Sequence, residues 1–321
     1  MSDQEQKTSQ AAAAIESGRI LITGANGHLG RRLITRLAGS GRPVRAVVRS
    51  QRAAETVRAL PLDGDVAVAV LDYRDADALR AAAAGCSAAV HLVGILLEGR
   101  RNRYEDAHEA TCRALAAATA GSGILRIVYL SILGSHPDSA NSCLASKGRA
   151  EAILLAATTP ALVLRVPMVL GPGDFASRAL AGRARARLLP LLRGGASLEQ
   201  PIDAEDVVSA IAAGIDRPGL DDVSFDLAGA ESLTRRDLAF RAAALYGNRP
   251  TVVPVPRWGM LTIAFLLESL LPNPPLSRAM VGVLDRDDRA RTAEVCERLG
   301  IQLTPLDETL RRYVGPGEDP P

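Results

Sequence analysis

The segment RILITGANGHLG, Arg19–Gly30, limits the fold more than any other part of the chain. An apolar run ends in three glycines spaced three apart, Gly24, Gly27 and Gly30, and a helical pattern (Leu29, Leu33, Ile34, Leu37) follows at once. Gly24 lets a strand turn sharply. Gly27 lets the chain approach a pyrophosphate, and Gly30 lets the helix pack tightly on a sheet. The free N–H groups and partial positive charge of the helix N-terminus favour a phosphate there. Asn26, His28 and Leu29 complete the loop, with His28 read as helix N-terminal backbone. The pattern predicts a dinucleotide-binding loop.

The rhythm continues downstream. Strands are expected at residues 43–48, 66–71, 88–93, 126–130 and 161–166, separated by helical patterns at 76–84, 103–121 and 146–156. Strands alternating with helices form βαβ units and a parallel sheet buried on both faces. The fold class is α/β, a doubly wound parallel Rossmann sheet with a smaller, mostly helical C-terminal lobe. The expected organisation is a flexible tail at 1–18, a Rossmann domain at 19–175, an interwoven lobe at 176–314 and a tail at 315–321. One further strand is expected near 223–227.

Composition narrows the function. A net charge of +2 is too balanced for nucleic acid as an obligate partner. The four cysteines form no CxxC pair, so neither a metal site nor a disulfide framework is expected, which fits a reducing cytoplasm. The first eighteen residues lack the apolar segment of a secretory signal. Trp258–Leu271 is the longest apolar stretch, but it is short and carries Glu268, so any membrane contact is peripheral, as at an inner membrane. It is read as a helix burying Leu261, Phe265 and the leucines beside Glu268 in the lobe. Two alternatives are the wall of a pocket for a quinone-like molecule and a face for a membrane or protein complex.

The end of the second strand selects the dinucleotide. An acidic residue there would bind the ribose hydroxyls of NAD; this chain has Arg49, with Arg52 close by. An arginine pairs with a 2′-phosphate, so NADP(H) is expected in preference to NAD(H). Asp72 and Tyr73 end the third strand, and Asp72 is read as an acceptor for the adenine amino group or as a helix cap. Val93 and Gly94 end the fourth, where backbone runs past the cofactor.

These stretches together resemble the atypical and extended short-chain dehydrogenase/reductase superfamily. Within it they are similar to the branch related to the dehydrogenase-like accessory subunit of respiratory complex I. The likeness covers residues 19–314. It is carried by ILITGANGHLG, VRAVVRS, HLVGILLEGRRNRYEDAHEATCRALAAA from His91, IVYLSILGS from Ile127, LASKGRAE, VPMVLGPGD and the late PLSRAMVGVLDRDD.

The resemblance implies a serine on the fifth strand and a Tyr-x-x-x-Lys on the next helix. Serine and tyrosine engage the substrate carbonyl, while lysine binds the nicotinamide ribose and lowers the tyrosine pKa. Ser131 and Lys147 match; the tyrosine position is Cys143. A thiol is shorter and a weak donor. Cys143 is therefore read as a filler, with a Lys147-activated nucleophile as the alternative. Tyr104 and Tyr129 are the nearby tyrosines, the latter read as core. Pro167 and Met168 match the backbone that the family places against the nicotinamide amide, but the usual Arg-Pro is stretched to Arg165-Val166-Pro167.

Lys147 stands out without any family. Of 38 basic residues only Lys7 and Lys147 are lysine, which leaves 38 − 2 = 36 arginines. A compact ammonium suits a single-point contact with ribose hydroxyls, where a planar guanidinium does not fit. The expected function is an NADP(H)-binding protein with a degraded Tyr-Lys site, an accessory or low-activity component of respiratory or quinone metabolism. The alternatives are an NADPH-dependent reductase or isomerase of a hydrophobic carbonyl substrate and a dinucleotide-sensing regulator.

Overall fold

The computed structural model describes residues 15, 18–99, 102–272 and 274–316. Most of the two segments read as tails lies outside these residues. Ile15, within the first, is buried, and its carbonyl accepts from Arg42 at 2.6 Å.

The first half runs β1 (Arg19–Thr23), α1 (His28–Gly39), β2 (Val44–Val48), α2 (Gln51–Arg58), β3 (Val66–Val70), α3 (Ala76–Ala83) and β4 (Cys86–His91). It continues through α4 (Thr111–Thr119), β5 (Arg126–Ile132), α5 (Ser142–Leu155) and β6 (Ala161–Val166). In the second half come β7 (Val169–Leu170), α6 (Phe175–Ala184), β8 (Leu188–Leu192), β9 (Leu198–Glu199), β10 (Ile202–Asp203) and α7 (Ala204–Asp216). Then follow β11 (Val223–Asp226), β12 (Leu233–Thr234), α8 (Arg235–Ala244), β13 (Thr251–Val255), α9 (Arg257–Leu270), α10 (Arg278–Leu284), α11 (Ala293–Leu299) and α12 (Leu306–Tyr313).

Seven strands form one sheet in the order β11-β6-β5-β4-β1-β2-β3, each pair parallel. Successive side chains of a strand point to opposite faces, so an unbroken apolar run serves two cores. Ile20 and Ile22 pack with Leu33, Ile34 and Leu37 of α1 and with Val207 and Ile211 of α7. Leu21, between them, packs on the other face with Leu79, Leu115 and Leu154. Strand β11, from the second half of the chain, pairs with β6. A third cluster around Leu170, Leu180, Leu238 and Leu310 holds the lobe.

Four features depart from the sequence reading. Helix α5 begins at Ser142 rather than 146, because the Asn141 side chain caps it, accepting from Cys143 N at 3.0 Å and Leu144 N at 3.2 Å. The helix expected over 103–121 opens instead with a π-helical segment, Glu105–Ala110. Helix α9 is not buried as expected: Ala264 is its one buried residue, and Trp258 and Leu270 are 73% and 76% exposed. Phe265 is exposed as well, because α9 packs chiefly on the short α10, and a small contact at Ala264 leaves its other sides out. Strands β7 to β10, β12 and β13 were not expected. Each is defined by a partner distant in sequence, and several are two residues long. Among the described residues no helix is long and apolar enough to cross a membrane.

Candidate functional site

The sheet order reverses at β1, which lies between β2 and β4. At such a switch point the loops leave in opposite directions and open a crevice at the carboxyl ends of the strands. The glycine loop stands there. Gly24 adopts φ +74°, which favours glycine, and a Cβ on it would meet the Leu92 carbonyl carbon at 3.0 Å. A Cβ on Gly30 would lie 2.5 Å from the Gly24 carbonyl oxygen, so that helix and loop touch through backbone. Gly27 is the N-cap of α1 and has no side chain to satisfy the first N–H groups. Asn26 is exposed at the tip of the loop, and Leu29 packs into the first core.

His28 does more than its backbone. Its Nε2 donates to the Pro172 carbonyl at 3.0 Å, and its ring occupies the space that a Cβ on Gly171 would need. The first helix is thereby clasped to the loop after β7. Tyr73 braces the glycine loop from below: its hydroxyl accepts from Gly24 N and donates to the Val47 carbonyl, both at 3.1 Å. Tyr73 is buried, so that hydroxyl is committed to positioning the loop.

Of the two roles expected of Asp72, the structure overturns the helix cap. It does not cap α3; Asp75 does, accepting from Asp77 N and Ala78 N. Asp72 instead binds Arg74 through Nε and Nη2 at 3.1 and 2.7 Å. That pairing holds its carboxyl down at about 2. Arg49 is exposed and lies over the Tyr73 ring at 5.8 Å, while Ser50 caps α2.

Lys147 is buried on α5. Its ammonium donates to the Tyr129 hydroxyl at 2.9 Å and to the Leu130 carbonyl at 3.0 Å, leaving one proton. A Cβ on Gly94 would stand 3.1 Å from that nitrogen and 3.6 Å from His108 Nε2. Burial lowers the Lys147 pKa to about 8 and those of His91 and His108 to about 3. At neutral pH the lysine is therefore the charged member of this trio. His91 is held by Thr23 at 2.6 Å and Thr111 at 3.2 Å.

Cys143 lies one turn before Lys147, with its thiol 3.9 Å from the Ile95 carbonyl. Burial pushes it up to about 11 and outweighs the pull of the Lys147 charge, which acts the other way. Ser131 is buried, and its hydroxyl donates to Ser135 at 3.3 Å rather than toward Cys143. Pro167 and Met168 follow β6, and the Met168 carbonyl accepts from Ile202 N. Arg165, two residues earlier, is held by Glu151 in a two-pronged pair.

A cleft of about 750 Å³ opens between Tyr104, the Asn141, Ser142 and Leu144 start of α5 and the C-terminal end of α9. Leu270, Leu271, Pro272 and Pro274 give it an apolar wall, and Arg103, Arg278 and Arg286 stand around it. Glycine loop, Gly94 and Lys147 form one cradle that fits a dinucleotide: backbone donors for phosphates, glycine clearance and a single buried ammonium.

Residues 24–173 match the family described as NAD(P)H-binding. A ceramide reductase of Caulobacter vibrioides is 30% identical over 261 residues, which span 80% of this chain and 80% of that one. The chain belongs to the atypical short-chain dehydrogenase/reductase family. NADH dehydrogenase (ubiquinone) 1 alpha subcomplex subunit 9, mitochondrial, of Arabidopsis thaliana is 30% identical over 73% of this chain, which spans 60% of that subunit's length. The solved structure of MoeE5 in complex with UDP-glucuronic acid and NAD shares the fold, with a TM-score of 0.72 at 21% identity over 92% of this chain and 98% of that one.

For a short-chain dehydrogenase/reductase, two residues here were assigned too little by sequence reasoning. Tyr129, read as core, anchors the lysine. The signal was available: strand alternation puts Tyr129 on the same face as Ile127, against α5. The reach of His28 across to Pro172 carried no local signal, since 144 residues separate them.

Proposed function

We propose that the protein is an NADP(H)-dependent reductase of a ketone carbonyl on a long-chain, apolar molecule. The observation that carries this reading is the cleft. It is lined by Tyr104 and by Ser142 and Leu144 on either side of Cys143, and Leu270, Leu271, Pro272 and Pro274 at the end of α9 give it one apolar wall among arginines and two glutamates. A chain can leave such a cleft along α9 while its polar head stays near Asn141 and the arginines. The Caulobacter relative, named a ceramide reductase, supports a lipid substrate by likeness.

The glycine loop and the start of α1 hold the pyrophosphate in this reading, and Arg49 takes the 2′-phosphate. Lys147 offers its remaining proton to the nicotinamide ribose. The backbone at Val93, Gly94, Pro167 and Met168 borders the nicotinamide, and Asp72 and Tyr73 lie toward the adenine. When bound, the reduced dinucleotide supplies a hydride. Cys143, protonated and weakly donating, gives no proton to a carbonyl.

Cys143 favours a second reading, a dinucleotide-binding accessory component of a respiratory assembly without turnover. One experiment separates the two. Purified protein is titrated with NADPH and NADH by calorimetry, then incubated with NADPH and long-chain 3-oxo lipids, a prenylated quinone and short ketones, following absorbance at the reduced-nicotinamide band. The reductase reading expects tighter NADPH binding and oxidation with a long-chain ketone. Tight binding with no oxidation across the panel overturns it in favour of the accessory reading.

A further inference from the structure

We propose that Tyr104 is the proton donor for the carbonyl, supplied from a different element than the one that carries Cys143. This rests on the reductase reading. Cys143 stands where the family resemblance implies a tyrosine, and its side chain is too short to cross the space that a phenol would cross. Tyr104 enters that space from the segment after β4. It is 4% exposed, its hydroxyl neighbours both the Cys143 thiol and Ser277, and it lines the cleft.

The placement is built. The π-helical segment starts immediately after Tyr104, and such segments re-aim side chains at functional sites. The Glu98 carboxylate accepts from Tyr104 N at 2.8 Å and fixes the backbone. The ring stacks on His108 at 5.5 Å between centroids, and His108 borders Gly94 beside the Lys147 ammonium. The phenol therefore stands between the cleft and the cradle. Its hydroxyl donates to the Leu96 carbonyl at 2.9 Å, a bond that a substrate oxygen can replace.

The reaction balances with this one donor. The carbonyl carbon gains the hydride, the C=O π bond opens, and the oxygen takes the Tyr104 proton. The products are a secondary alcohol and the oxidised dinucleotide, and the phenolate recovers a proton from water in the cleft. Burial raises the Tyr104 pKa, and it touches no cation that would lower it. The proton is held firmly until the alkoxide develops, which predicts slow turnover that persists to high pH.

The test compares wild type with Tyr104→Phe, which keeps the ring and removes one oxygen. NADPH affinity serves as the folding control. Ketone binding without turnover is followed by calorimetry with the oxidised dinucleotide bound. The expected result is unchanged NADPH affinity, a loss of reduction of about 100-fold or more, and ketone affinity lowered about three- to tenfold. Binding of the matching hydrocarbon should not change. If wild type reduces the ketone and Tyr104→Phe does so equally well, the assignment to Tyr104 is overturned while the reductase reading stands. If Cys143→Ala abolishes reduction and Tyr104→Phe does not, the thiol is the donor instead. If wild type binds NADPH and reduces nothing, both the reductase reading and this assignment fall.

Discussion

Gly94 and Lys147 meet with no side chain between them: a Cβ on the glycine would lie 3.1 Å from the ammonium nitrogen and 3.3 Å from Cε. The lysine is already anchored on its other side by Tyr129 and Leu130. A methyl group here must push it off those partners or fill the space where a ribose would approach. Gly94→Ala is expected to weaken NADPH binding by about tenfold or more, roughly 1.4 kcal/mol. It should leave the fold intact, since Gly94 has no positive φ. Calorimetry beside a thermal melt checks this; unchanged affinity would detach Gly94 from the cofactor path.

Burial lowers the Lys147 pKa to about 8, below the 10.5 of a free lysine, and this fixes a sign. The folded protein loses this proton earlier than the unfolded chain does. The buried charge therefore costs stability below pH 8, and that cost is relieved between pH 8 and 10.5. Cofactor affinity should move the other way, because the ribose contact uses the charged donor. NADPH affinity is expected to fall as pH rises through about 8. Lys147→Met should bind weakly at every pH without that inflection. An inflection that survives in Lys147→Met would assign it to another group.

The sheet was legible in the sequence because its strands are apolar runs between glycine turns and amphipathic helices. Ile20, Leu21 and Ile22 announce both faces at once. Gly24, Gly27, Gly30 and Lys147 were legible for the same kind of reason: each is a residue type that its place demands. Tyr73 was named as a cofactor contact, yet its hydroxyl braces the loop, because a buried phenol bonds to whichever backbone groups the fold brings to it. The exposure of α9 was hidden, since apolar sequence states a preference for burial and not what is available to provide it. The π-helical start before α4 was hidden too, because its register is set by packing and not by any local motif.

Gly30 offers a stability test with its own control. A Cβ there would meet the Gly24 and Ala25 carbonyl oxygens at 2.5 and 2.7 Å, both backbone atoms that cannot swing aside. Gly30→Ala is expected to cost about 1–3 kcal/mol by overpacking and to abolish dinucleotide binding. At Gly39, on the same helix, a Cβ would meet nothing within 4 Å. Gly39→Ala should stabilise by up to about 1 kcal/mol, because alanine loses less backbone entropy. Denaturant melts compare the pair. Equal responses of the two variants would show that the loop tolerates a side chain at Gly30, contrary to its packing.

Asp288, at the end of the PLSRAMVGVLDRDD segment, joins this segment to β9 through its backbone N–H on the Leu198 carbonyl at 3.0 Å. Its side chain is buried, and burial raises its carboxyl to about 6 despite the charges of Arg286 and Arg235. The folded state therefore holds a proton between about pH 4 and 6 that the unfolded chain has lost. Stability contributed at this site falls as pH rises through that window, and above it the buried charge exacts its full cost. Asp288→Asn keeps the size and removes the charge. It is expected to raise stability by about 1–3 kcal/mol at pH 7.5 and to change little at pH 4. Urea melts at the two pH values measure the difference directly. A variant equally stabilised, or equally destabilised, at both would mean that Asp288 acts through shape or hydrogen bonding, and that the arginines beside it offset the burial of its charge.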